Sequence, residues 1–363
     1  MWDQRHQILC GSARPPLVNS ACAECLHRRL GTQYFFDSPH RPIRTPVNTA
    51  VTAIPDLARE LPADTVDAPA WLKDALQVPR EEGWVASGGR NIHYFRWGNP
   101  ENPGLLLMHG FLAHSRCFAF IAPFLAEQYH VVAFDFSGMG DSDPRDHYTD
   151  AVRAAEVEDV ARATGLFEHA IKPIVIAHSY GGHVAITAMQ DQHALFGGVI
   201  ICDLMLLRPE RVKAFFKAEK PLREGAPRPN RIYPDYETAR GRFVLSPPQP
   251  VTVPALFDYM AYHSLKQVEG GWSWKFDAGV FQGEFGQQEG MLRLGHVIAD
   301  TPGRKAIVYG QDSVLFDDDS ADYLRECGGT DIPTIGIPGA RHHLMLDEPI
   351  AFVSALRAVL AQW

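Results

Sequence analysis

Residues 174–186 read IVIAHSYGGHVAI, and the fold turns on where this run changes character. The part up to His178 suits a buried strand, the part after Gly182 suits a packed helix, and Ser179 stands between them. A strand that gives way to a helix within two residues needs a sharp turn with strained backbone at the serine. Its neighbours two positions away must then be small, as Ala177 and Gly181 are. Such a turn exposes the hydroxyl and sets it beside the backbone N–H groups of a helix start, which favour negative charge. The plain alternative is a serine that only caps the helix.

Outward from this junction the pattern repeats. Apolar runs bounded by turn residues, GLLLMHG, HVVAFDFSGMG, GVIICD, KAIVYGQ and PTIGIPG, read as buried strands. Between them SRCFAFIAPFLAEQ, TDAVRAAEVEDVARATGLF, HVAITAMQDQ, SADYLREC and the closing PIAFVSALRAVLAQW read as helices. Upstream, GWVASGGRNIHYFRWG reads as a hairpin turning at Ser87-Gly88-Gly89. Alternation of strand and helix predicts an α/β fold, a mostly parallel sheet flanked by helices. The core is expected over 69–207 and 302–363. Over 208–301 the alternation fails and Pro, Arg and aromatics dominate, which predicts an inserted helical lid; its Phe257, Tyr259, Tyr262, Trp272, Trp274 and Phe276 offer aromatic surface to a ligand. Residues 1–68, rich in Pro, Ala and Arg, read as an N-terminal extension, partly disordered.

The composition narrows the partners. With a net charge of -9 and no cluster of Lys and Arg interleaved with aromatics, nucleic acid is excluded as a partner. No run is long and apolar enough to cross a membrane and the start lacks a signal-peptide core, so a cytoplasmic protein with no membrane partner is expected. Six scattered cysteines make no disulfide scaffold. Cys22 and Cys25 form a CxxC with Cys10 and His27 nearby, a conceivable zinc set, but the paired ligand spacing of a zinc module is missing and a loose arm is the preferred reading. No other cluster has metal-ligand spacing, and SGMGDS lacks the dinucleotide-loop spacing, so neither metal nor cofactor is expected.

Several motifs, in order over about residues 80 to 363, resemble the α/β-hydrolase family. Its nucleophile turn G-x-S-x-G appears here as A-x-S-x-G, with Ala177 in the first position. LLLMHGFL resembles the family's strand followed by His-Gly, which implies that the backbone N–H of Phe111 and that of Tyr180 form an oxyanion hole. VVAFDFSGMGDSD resembles its D-x-x-G-x-G-x-S loop, implying turn-building roles for Asp135, Gly138, Gly140 and Ser142. IPGARHHLMLDEP resembles the histidine loop, whose register selects His342 as the base, with Asp347 and Pro349 following and His343 as the competing base; Arg341 replaces a usual glycine. The family's commonest acid position, three residues past the glycine of KAIVYG, is Ser313. The acid is therefore expected at Asp203, closing GVIICD, with Asp312 as the alternative.

Together these imply a serine hydrolase: Ser179 as nucleophile, His342 as base and Asp203 orienting it, acting without a cofactor on a small ester or lactone. A serine in this place argues against epoxide chemistry, which in this family goes with an aspartate nucleophile. The runner-up is a hydrolase of carbon–carbon bonds in diketone-like or ring-cleavage products. A reading of another class is a binding protein that keeps the fold and leaves the serine unused.

Overall fold

The computed structural model describes residues 51–53, 60–62, 65, 67–218, 228–283 and 288–363. Seven strands come first in the chain: β1 (Val51–Ala53), β2 (Arg80–Ser87), β3 (Arg90–Trp97), β4 (Gly104–Met108), β5 (His130–Phe134), β6 (Ile174–His178) and β7 (Gly198–Cys202). A hairpin of β8 (Leu265–Val268) and β9 (Gly271–Trp274) follows, then β10 (Arg304–Gly310) and β11 (Thr334–Ile337). All but the hairpin belong to one sheet, in the order β1-β2-β3-β5-β4-β6-β7-β10-β11. From β5 to β11 every neighbouring pair is parallel, while β1, β2 and β3 join antiparallel at one side.

The central parallel strands β4, β5, β6 and β7 are buried at every position because both faces are covered. Leu105, Leu107, Ile174, Ile176 and Ile200 pack on one side with Phe352 and Leu356 of the closing helix Pro349–Leu360. Their neighbours Leu106, Met108, Val175, Ala177 and Ile201 pack on the other with helices α1 (Asp150–Ala163) and α2 (Tyr180–Gln192). α1 starts where the side chain of Thr149 accepts from the Val152 N–H, as its sequence predicts.

Strand β4 lies between β5 and β6, so the chain leaves it in one direction and returns on the other side. A crevice forms beyond the carboxyl ends of strands at such a reversal. The loops leaving β4 and β6 carry residues 109–112 and Ser179 to that crevice.

One boundary and the make-up of one segment differ from expectation. Residues assigned to the extension belong to the fold: β1 pairs with β2, and Glu60, Leu61 and Ala68 are buried. Glu60 forms ion pairs with Arg80 and Arg116 and accepts, through its carbonyl, from His263 Nε2. The Cys10, Cys22, Cys25 and His27 set lies outside the described residues. The segment 208–301 contains helices, among them α3 (Pro254–His263), but also the β8–β9 hairpin, turned at Glu269 and Gly270, the glycine with positive φ. Among the described residues no helix is long and apolar enough to cross a membrane.

Candidate active site

Among the described residues, three that are not glycine have positive φ: Leu112 at 59°, Ser179 at 51° and Asp203 at 49°. Each follows the end of a parallel strand, β4, β6 and β7 respectively. Backbone held in this region costs energy and persists where its surroundings enforce it. Here those surroundings are visible. The Ser179 N–H donates to Cys202 O at 2.9 Å and the Asp203 N–H to Val308 O at 2.9 Å, so both turns are tied to adjacent strands.

Ser179 precedes α2 but its side chain makes no capping bond, which removes the plain reading of a cap residue. The small residues around it answer to close approach. A Cβ on Gly181 would lie 2.6 Å from Met108 O and 2.8 Å from His109 O, so α2 starts hard against the end of β4. A Cβ on Gly110 would lie 3.0 Å from His178 Nδ1 and 3.4 Å from Ser179 Cβ, which brings the loop after β4 alongside the serine. Phe111 and Tyr180 meet there, their rings 5.5 Å apart edge to face. His109 braces this loop, donating from Nδ1 to Gly110 O at 2.7 Å and accepting at Nε2 from the Phe136 N–H at 3.1 Å.

The structure separates the two candidate acids. His342 Nδ1 lies 2.9 Å from Asp203 Oδ1. The same carboxylate accepts from the Ser313 hydroxyl at 2.6 Å and from the Gly310 N–H at 2.9 Å. Ser313, at the position where the resembled family places its acid, thus supports the acid that stands at the end of β7. Asp312 is exposed, and its backbone N–H is used on Ala340 O at 3.0 Å. Of the two histidines it is His342 that meets a carboxylate; His343 packs beside it, ring centroids 4.9 Å apart. The loop is held by Asp347, which accepts from the Arg341 N–H, Gln249 and Thr252, so the acidic residue five positions after His342 is a buried anchor.

Burial acts on both members of the pair toward neutrality. It pushes His342 down to about 4, so the imidazole is neutral near pH 7. It pushes Asp203 up to about 7, against the pull of the Ser313 hydroxyl, the Gly310 N–H and His178.

Ser179, His342 and Phe111 share the lining of one cavity of about 340 Å³. Its far wall comes from the 208–301 segment, including Phe243, Leu245, Met260, Trp274 and Phe276. Of the six aromatics that the sequence offers as ligand-facing surface, Trp274 and Phe276 line the cavity. Tyr259 is buried between Phe120 and His263, Tyr262 and Trp272 pack on Tyr236, and Phe257 packs on Phe243. Phe243, which the sequence reading did not single out, lines the cavity; nothing in its local pattern marks it. His178 was also missed as a site residue, although it adjoins Ser179: its Nε2 donates to His342 O at 2.8 Å and fastens the histidine loop to β6. His114 donates from Nε2 to Ser264 Oγ at 3.0 Å, joining the core side of the cavity to the residue after α3. Arg341 is half-buried and is not among the lining residues.

Asp135 builds a turn, as its motif implies. It accepts from the Ser115 and Asp141 N–H groups and lies 2.8 Å from His93 Nδ1, while Ser142 Oγ donates to its carbonyl.

A family model described as "Alpha/beta hydrolase family" matches residues 105–356. The chain is 26% identical over 116 residues to the uncharacterized hydrolase YugF of Bacillus subtilis, covering 31% of this chain and 41% of that protein. It is 31% identical over 127 residues to a soluble epoxide hydrolase of a Corynebacterium, covering 35% and 41% respectively. The chain thus spans about two fifths of the length of these two relatives. Among solved structures, a thioesterase domain from a curacin biosynthetic pathway aligns with TM-score 0.61 and 21% identity over 77% of this chain and 99% of that one. An E-2-(acetamidomethylene)succinate hydrolase aligns with TM-score 0.61 and 20% identity over 77% and 98%.

Proposed function

From the premise that the chain belongs to the alpha/beta hydrolase family, we propose that it is a serine hydrolase cleaving a small carboxylic ester or lactone through an acyl-enzyme. The observation that carries this reading is the buried His342–Asp203 contact at 2.9 Å in the wall of the cavity that Ser179 also lines, on a strained turn, with its hydroxyl uncommitted to capping.

In this mechanism the Ser179 hydroxyl attacks the substrate carbonyl while Nε2 of His342 takes its proton. Asp203 accepts from Nδ1–H, which leaves the lone pair on Nε2 and stabilises the imidazolium as it forms. The N–H groups of Phe111 and Tyr180 face the developing oxyanion. His342 returns the proton to the leaving alcohol, then activates water that releases the acyl group. Each step moves one proton between Ser179, His342 and substrate or water. An apolar wall of Phe243, Leu245, Met260, Trp274 and Phe276 suits an apolar or aromatic acyl or alcohol group, with the 208–301 segment acting as a lid. Relatives named epoxide hydrolases do not carry their substrate to this chain: opening an epoxide by direct attack is the work of a carboxylate, and Ser179 stands at the turn.

The test is covalent labelling by a fluorophosphonate together with turnover of p-nitrophenyl esters. Ser179→Ala is expected to abolish labelling and to lower turnover by on the order of 10⁶-fold. A folded wild-type protein that neither labels nor turns over any ester, lactone or diketone would favour a binding role. Turnover confined to diketones would favour the carbon–carbon reading.

A further inference from the structure

Three imidazoles meet at one point of the cavity wall, and the mechanism uses one of them. One ring nitrogen of each of His178, His342 and His343 lies within 4.8 Å of one from each of the others. All three residues line the cavity. Two of them have the other ring nitrogen hydrogen-bonded. His342 offers Nδ1 to the Asp203 carboxylate at 2.9 Å, and His178 offers Nε2 to the carbonyl of His342 at 2.8 Å. The His343 ring interacts with the carbonyls of Ser246 and Pro247, and its Nε2 is buried with no hydrogen-bond partner among the described residues.

This is the outer shell that metal-binding histidines have: one ring N–H given to a carboxylate or backbone carbonyl, which fixes the tautomer and leaves the opposite nitrogen as a lone-pair donor. By that rule the donors are Nδ1 of His178 and Nε2 of His342 and His343. A zinc-like ion with Zn–N bonds of about 2.0–2.1 Å spaces tetrahedral ligands about 3.4 Å apart, so side-chain shifts of about 1 Å close the set. Three neutral imidazoles without a direct carboxylate suit zinc, copper or nickel and not magnesium or calcium.

We propose that His178, His342 and His343 form a binding site for a divalent transition-metal ion, and that the ion switches the enzyme off by occupying the lone pair of His342. The inhibition rests on the reading of His342 as the base; the binding does not. The ion enters through the substrate cavity, so substrate and metal compete.

The full-length protein, stripped with EDTA and freed of chelator, is titrated calorimetrically with zinc chloride and separately with magnesium chloride. One zinc per chain and no magnesium binding are expected. Hydrolysis of p-nitrophenyl butyrate falls by roughly tenfold or more at saturating zinc and returns on adding EDTA. His343→Gln weakens zinc binding by roughly 100-fold or more, beyond the loss typical of an outer-shell change, and its rate, compared with its own metal-free rate, no longer responds. A Cys22→Ser, Cys25→Ser double variant keeps both binding and inhibition. Absence of zinc binding overturns the site, as does binding that survives both His178→Gln and His343→Gln. Zinc held by the histidines with turnover unchanged overturns the inhibition. Zinc binding that depends on His178 and His343 in a protein with no ester turnover supports the site while the hydrolase reading fails.

Discussion

Two buried histidine–aspartate pairs lie in this molecule with nearly the same geometry and opposite electrostatics. His342 Nδ1 is 2.9 Å from Asp203 and His93 Nδ1 is 2.8 Å from Asp135, with all four side chains at most 4% exposed. Burial pushes His342 down to about 4. It opposes charge on His93 as well, but there Asp135 and the second carboxylate of Glu82, 2.9 Å from Nε2, carry the value up to about 9. The difference is the far nitrogen. In His93 it is closed by Glu82, so the ring is a cation cemented between a strand and a turn. In His342 it is left to the cavity, so the ring stays neutral and can take a proton. In the proposed mechanism it is the open side, and not the contact alone, that makes His342 a base.

The comparison breaks most sharply under parallel substitution. Asp203→Asn is expected to lower kcat by about 10⁴-fold, the loss that follows when the base takes the wrong tautomer, with the urea unfolding midpoint nearly unchanged. Asparagine tolerates the positive φ of this position, which keeps the backbone in place. Asp135→Asn takes from the buried His93 cation its one fully buried carboxylate and leaves it the partly exposed Glu82, and is expected to cost up to about 3–5 kcal/mol of stability, with activity per folded molecule retained. Equal losses of turnover in the two variants would mean that the pairs do not differ in role.

Titration sharpens it further. In the proposed mechanism both His342 and Asp203 are deprotonated for proton transfer, so kcat/KM is expected to fall with falling pH between the raised value of Asp203, about 7, and the lowered value of His342, about 4. His93 works in the other direction. Its folded value of about 9 exceeds the unfolded value of about 6.5, so its contribution to stability is full below about 6.5 and is lost as pH rises through about 9. Melting temperature and activity measured on one pH series would therefore decline toward opposite ends. A His93→Gln variant should lose the alkaline decline in stability and keep the acid limb of kcat/KM. The smallest effect is expected for Asp312→Asn, whose exposed side chain leaves turnover within about twofold and stability within about 0.5 kcal/mol.

Residues whose placement follows from neighbours in the chain are legible. Ser179 is one, because the abrupt change from strand to helix pattern forces the turn whatever surrounds it. His109 and Asp135 are others, since their bonds bridge segments that the same motifs already place at strand ends. Asp203 and Asp312 could be ranked but not separated, because the direction of a side chain at a strand end depends on the turn geometry of that strand and its neighbour. Glu60 read as part of a loose arm; its partners Arg80, Arg116, Tyr259 and His263 stand 20 to 203 positions away.

The sequence by itself determined the alternation of strands and helices in the core and the strained serine turn, because both rest on local periodicity and steric limits, while the register of the histidine loop came from its resemblance to the family's motif. Tertiary structure alone decided which aspartate meets His342, which aromatics reach the cavity, and that His178 stands against a histidine loop 164 positions away. Those outcomes depend on the sheet order that sets β6, β7 and β10 side by side, and on burial, which gives a carboxylate and an imidazole their charge only once their neighbours are in place.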